Sequence, residues 1–182
     1  PNLLAISRMR RRQASQVMVA LDHDGMKTKI PPGPYFISLK IDGEFTVMAY
    51  KDGDIISVNP YGTVRMGAPF HIELGKMLAK AGIKSAILGG ELWVKHADGH
   101  RPRVHDVTRL ARAPQSPADV DQLHYAVFAI YDFDGVDLST QPGPQLAKIR
   151  AIFANGKHVT PIETHEGSDA DIQTHFKKWV VD

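Results

Sequence analysis

Cysteine is absent from all 182 residues. That excludes a disulfide framework, a thiolate nucleophile and any cysteine-ligated zinc or iron–sulfur centre. It fits a reducing compartment, so the expected location is the cytoplasm. Long apolar runs are also lacking. No stretch reaches the roughly 20 residues that a membrane span needs, and the arginine-rich start, Ser7 to Arg12, precedes no signal-peptide core; no membrane partner is expected. Charge of one sign is not in excess: 22 Lys and Arg face 20 Asp and Glu, for a net charge of +2. Net charge therefore decides nothing about partners, and its distribution says more. Arg8, Arg10, Arg11 and Arg12 crowd together, and Arg101, Arg103, Arg109 and Arg112 form a second group with His100 and His105. Such clusters can grip phosphate, although a solvated surface explains them equally well. There is no internal repeat and no low-complexity tract.

What remains is the composition of a globular chain, 43% hydrophobic and 23% charged, long enough to bury a core without covalent staples. Residues 1–30 read as a basic N-terminal extension, ended by Pro31-Pro32-Gly33-Pro34, which no helix crosses. Strands are predicted over Tyr35–Leu39, Glu44–Tyr50 and Ile55–Val58, the last two joined by a hairpin turn at Lys51-Asp52-Gly53-Asp54. Further strands are predicted over Ala86–Val94, Leu123–Phe133 and His158–Ile162. Helical spacing marks Phe70–Ala81, Val104–Ala111, Gln145–Ala154 and Asp169–Val180. Hairpin strands mixed with helices predict an α+β fold with antiparallel sheets flanked by helices.

The candidate chemistry begins at Lys40-Ile41-Asp42-Gly43, between two predicted strands. A deprotonated lysine amine can attack phosphorus. Gly43 permits close backbone approach, and Asp42 can orient the lysine or meet a metal. Alone, this tetrapeptide is more often a polar hairpin than a site. Two downstream segments strengthen it. Gly90-Glu91-Leu92-Trp93 puts a carboxylate on an apolar strand, where an ordinary core disfavours one. Val127-Phe128-Ala129-Ile130 then leads through Tyr131-Asp132-Phe133 to the turn Asp134-Gly135-Val136-Asp137-Leu138.

In this order and spacing the series resembles the covalent nucleotidyltransferases, and among them the ATP-dependent DNA ligases, over residues 31–182. The resemblance implies an ATP-grasp-like nucleotidyltransferase (adenylation) domain with a nucleotide cleft between sheets. It implies that Lys40 attacks the α-phosphate of ATP and carries lysyl-AMP. Glu91 would hold the ribose or a metal, Phe128 would stack on adenine, and Ser38, Leu39 and Asp42 would line the nucleotide site. Mg²⁺ would shield the triphosphate, and AMP would pass to a DNA 5′-phosphate so that a nick is sealed. The implied partner is nicked duplex DNA, the implied state a monomer, and the implied settings are DNA repair, recombination and replication.

Two departures matter. Many family members carry Arg where this chain has Phe45, so phosphate gripping is expected to move to Arg65, with Arg101 and Arg103 as further phosphate or DNA contacts. Glu is frequent where this chain has Ser38. The family's later motifs, a Glu-Gly pair and a Lys-x-Lys strand, are expected after Asp182, as is an OB-fold domain. The adenylation domain is therefore expected to be incomplete at its C-terminal end and feeble alone in sealing. Two other readings stay open: an RNA ligase or mRNA-capping nucleotidyltransferase, and a non-catalytic nucleic-acid-binding relative. His96, His100 and His105 are expected to be surface or phosphate-contact histidines rather than zinc ligands.

Overall fold

The apolar alternation read along the chain builds one large sheet in the computed structural model, which describes residues 2–96, 98, 99, 101 and 103–181, except the side chains of His23, Val180 and Val181. His100 lies outside the described residues. The chain divides into two units, Pro1–Arg11 with Ile41–Pro161, and Arg12–Lys40 with Ile162–Asp182.

The first unit holds a six-stranded sheet. Its strands are β2 (Glu44–Lys51), β3 (Asp54–Val58), β4 (Val64–Arg65), β5 (Ser85–Val94), β6 (Leu123–Phe133) and β7 (Val159–Pro161), in the order β4-β3-β2-β5-β6-β7. The turn between β2 and β3 forms as expected, with Asp52 and Gly53 both at positive φ, the conformation a two-residue hairpin loop requires. All neighbours are antiparallel except β6 and β7, which run parallel. A parallel neighbour needs a crossover, supplied here by α6 (Pro142–Phe153). That helix starts earlier than its apolar spacing suggests, because prolines are tolerated in a first turn whose N–H groups have no helical partner. The same reasoning explains α5 (Pro117–Asp121), in a segment the prolines mark as broken; Ser116 caps it by accepting from the Asp119 N–H at 3.3 Å.

One face of this sheet carries the core. Met48, Tyr50, Leu88, Leu92, Tyr125, Val127 and Ile130 pack there against Phe70, Leu74 and Leu78 of α3 (Pro69–Lys80), Val107 and Leu110 of α4 (Val104–Arg112), and Ile149 and Phe153 of α6. Gly90 belongs to this face: a Cβ there would stand 2.6 Å from the Ala126 carbonyl oxygen and collide with the Tyr125 ring. The buried Tyr125 hydroxyl donates to Thr46 O at 2.9 Å.

The opposite face is met by α1 (Leu3–Val17), through its residues up to Arg11. Ser7 is fully buried, and the Arg10 guanidinium lies 4.4 Å from the centroid of the Tyr131 ring while bonding Asp137 at 3.1 Å and Ser139 at 3.3 Å. The basic cluster of the N-terminus is thus a helix with Arg10 turned inward.

The second unit pairs β1 (Tyr35–Ser38) with β8 (Thr164–Gly167) antiparallel and adds α2 (His23–Lys29) and α7 (Asp169–Phe176), the latter continued by a π-helical turn, Lys177–Val181. Asp22 caps α2 by accepting from the Gly25 N–H at 2.7 Å. The Glu163 carboxylate gathers His165, Lys178 and Trp179 within 3.3 Å, and the His165 and His175 rings stack at 4.1 Å.

Candidate nucleotide-binding site

Strand pairing places Phe45 directly opposite Glu91 and Glu91 opposite Ala126. Because side chains alternate across a strand, these three share the face opposite the core, with Val47, Gly89 and Ala129 forming the next row. Strand β6 is irregular here. Leu88 pairs with Ile130 and Ile87 with Asp132; Gly89 pairs with Ala129 and Gly90 with Val127. Tyr131 and Phe128 are therefore extra residues, each at a bulge, and a bulge re-aims its side chain. Tyr131 enters the space left by Gly89, where a Cβ would stand 2.5 Å from its hydroxyl oxygen. Burial pushes the Tyr131 phenol up to about 12, against the pull of Arg10. Phe128 turns toward Phe45, the ring centroids 6.0 Å apart and the planes tilted 32°. Phe128 and Glu91, far apart in sequence, thus share one face of the sheet.

The loop carrying Asp42 and Gly43 lies tightly against β5. A Cβ on Gly43 would stand 2.9 Å from Glu91 Cγ and collide with the Leu92 carbonyl oxygen. Glycine is needed there for close approach rather than for positive φ. Arg103 reaches Asp42 at 3.5 Å with both side chains partly exposed. Its own N–H donates to Asp106 Oδ2 at 3.1 Å, and His96 Nε2 bonds the same oxygen at 3.0 Å. Burial alone would raise the Asp106 carboxyl, but the bonds from His96 and from the Arg103 backbone outweigh it and lower its pKa. His96 is therefore a hydrogen-bond partner of Asp106 at the start of α4, and among the described residues no group of three or more His, Asp or Glu could hold a metal.

Arg65 is not brought to this face. Glu44 precedes Phe45 by one residue, so the pleat sends it to the core side, where Arg65 bonds both of its carboxylate oxygens and Asn59 adds a third bond at 3.0 Å. An arginine held this way, with its side chain only 11% exposed, is a structural partner of Glu44. Arg101 is exposed.

Lys40, Ser38 and Leu39 belong to the second unit. Lys40 is exposed and follows β1 without being part of it. The Leu39 N–H donates to Glu163 O at 2.9 Å, and the Ser38 hydroxyl bonds that of Thr164 at 2.9 Å. These two contacts pin the strand immediately before the lysine. Asp42 is two residues further on, in the first unit.

Phe45 and Tyr131 were not among the expected site residues. Alternation within Glu44–Lys51 would have put Phe45 opposite Thr46, but only the register with β5 puts it beside Glu91. Tyr131 depends on bulges that leave no local sequence signal.

The mixed α+β fold, with antiparallel strands flanked by helices, is like that of solved DNA ligase structures. Among solved structures the chain resembles mycobacterial DNA ligase D complexed with ATP and MES (TM-score 0.51, 18% identity, 79% of this chain and 44% of that one). It resembles the ligase domain from M. tuberculosis LigD similarly (TM-score 0.52, 18% identity, 79% and 44%), and Pmar-Lig_PreS3 over more of its length (TM-score 0.59, 13% identity, 95% and 42%). The likeness is one of fold, and the chain spans less than half the length of each. No protein-family model and no curated protein sequence matches it.

Proposed function

We propose that this chain is the nucleotide-binding core of an ATP-dependent DNA ligase, with Lys40 as the nucleophile. The observation that carries the reading is the pairing, within a ligase fold, of Glu91 and Phe128 on one sheet face with a Lys-x-Asp-Gly loop whose glycine is packed against Glu91. In the first step the Lys40 Nζ lone pair forms a bond to the α-phosphorus of ATP. The bond from that phosphorus to the bridging oxygen breaks, pyrophosphate leaves with the electron pair, and the amine proton passes to solvent. Phe128 supplies a stacking surface that any purine can use. Glu91 accepts hydrogen bonds from ribose hydroxyls or donates a carboxylate oxygen to a divalent ion. A lone carboxylate suits Mg²⁺, which is commonly held by one or two carboxylates together with substrate phosphates; bound there, the ion would offset charge on the triphosphate. Arg103, which reaches Asp42 at 3.5 Å, would supply a cation for phosphate. The AMP then passes to a 5′-phosphate at a nick, and a 3′-hydroxyl displaces it.

The test is transfer of label from α-labelled ATP or GTP to the protein. Label from ATP that survives denaturation, and that Lys40→Ala and Lys40→Arg both abolish, is the expected result, because arginine stays protonated and is no nucleophile. Label from GTP instead would identify a capping-type enzyme. No label from either nucleotide would identify a binding module, and transfer by Lys40→Arg would assign the nucleophile elsewhere.

A further inference from the structure

We infer that Phe45 is a positioning residue that sets the angle of the Phe128 ring against the nucleotide base, a role that rests on the nucleotide reading of this face. Phe128 is the extra residue of a bulge, so no residue of β5 stands opposite it to fix its side chain. A ring in that position keeps rotational freedom unless something packs beside it. The ring found beside it is Phe45, tilted by 32° with its centroid 6.0 Å away, within the separation at which aromatic rings attract. Phe45 itself is held more firmly: it lies in a regular part of β2, paired with Glu91 across the strand, and its neighbours Thr46, Val47 and Met48 are fully buried. The rigid partner therefore orients the mobile one. Both rings are only partly buried, as a platform open to a ligand must be. A side chain at position 45 is thus used to order an apolar surface, while charge near the loop comes from Arg103 at Asp42.

An aromatic pair of ordinary strength corresponds to a factor of about 2–10 in the population of the ordered ring. The test is a double-mutant cycle on ATP affinity, read by calorimetry on the protein, with Phe45→Leu, Phe128→Leu and the double variant. Phe45→Leu is expected to weaken ATP binding about 2–10-fold and to leave the rate of lysine labelling at saturating ATP within about twofold. Phe45→Tyr, which keeps the ring, should bind ATP as the parent does. In the Phe128→Leu background the Phe45 substitution should change nothing further. Equal losses from Phe45→Leu in both backgrounds would show a general structural role and overturn the proposal, as would no loss at all. If Phe128→Leu leaves ATP affinity intact while lysine labelling persists, the base does not stack there, and the stacking role assigned to this face fails with the proposal. Should Phe45→Leu not fold, Phe45→Met takes its place, with the same outcomes.

Discussion

At the scale of single residues, the sharpest constraint outside the site is at His71, which is fully buried. Its Nδ1 accepts from the Ala68 N–H at 3.2 Å, so the proton sits on Nε2, which then donates to the Ser57 hydroxyl at 2.9 Å. Protonating Nδ1 would break the first bond at the start of α3. Burial, with Arg65 nearby, lowers the His71 pKa to about 4. His124 is lowered to about 4 by burial and by His158. A histidine depressed on folding binds its proton more readily in the unfolded chain, so the stability it lends is complete above its ordinary value of 6.5 and drains away as pH falls toward 4. Thermal melts should therefore show Tm dropping progressively between pH 6.5 and 4, and His71→Gln should flatten part of that slope. A Tm that stays level over this window would show that neither histidine is held neutral. The lowered carboxyls of Asp106 and Asp137 act in the same direction but only at lower pH.

At the scale of elements, the parallel strand β7 is the most demanding piece, since it ends a crossover and sits at the sheet edge. The Glu73 carboxylate of α3 receives three backbone N–H groups at its start: Lys157 at 2.6 Å, His158 at 2.5 Å and Val159 at 3.1 Å. Hydrogen bonds to a charged group each contribute about 1.5–3 kcal/mol. Glu73→Gln keeps one acceptor oxygen and loses the charge, so it should cost about 1–3 kcal/mol of unfolding free energy by denaturant titration. A cost near zero would mean that water replaces the carboxylate without penalty. The long elements were legible in sequence for the usual reason: β2, β5 and β6 alternate or run apolar, and α3 repeats at helical spacing. The missed ones share a different cause. Helix α1 has its buried Ser7 and its inward Arg10, so no apolar stripe announces it; β4 and β8 are short strands fixed by pairing rather than by composition.

At the scale of the whole molecule, the two units differ in what holds them. Among the described residues, every buried hydrophobic side chain belongs to the first unit. The second unit relies on the short β1–β8 pairing, helix caps, the Glu163 cluster and stacked histidine rings. Local stability follows buried apolar packing. Amide exchange should therefore be slowest in β5 and β6 and much faster in β1 and β8, the strands adjoining Lys40. Equal protection in the two sheets would show that the polar contacts suffice. Because Leu39 and Ser38 are pinned to Glu163 and Thr164, nucleotide binding is expected to raise protection of β1 and β8 selectively.

Taken by itself, the sequence determined the α+β class, the major strands and helices, and the order of the lysine, glutamate and phenylalanine on which the functional reading rests. These are local properties: alternation, turn chemistry and motif order are written in neighbouring residues. Only the tertiary structure decided that Phe45 faces Glu91 while Glu44 carries Arg65 to the other side. It also decided that two bulges deliver Phe128 and Tyr131 to the same surface. Strand register has a period of two, so a slip of one residue exchanges the faces, and an inserted bulge residue resets that alternation. Both depend on which strand lies alongside, and that information resides in contacts between residues distant in the chain.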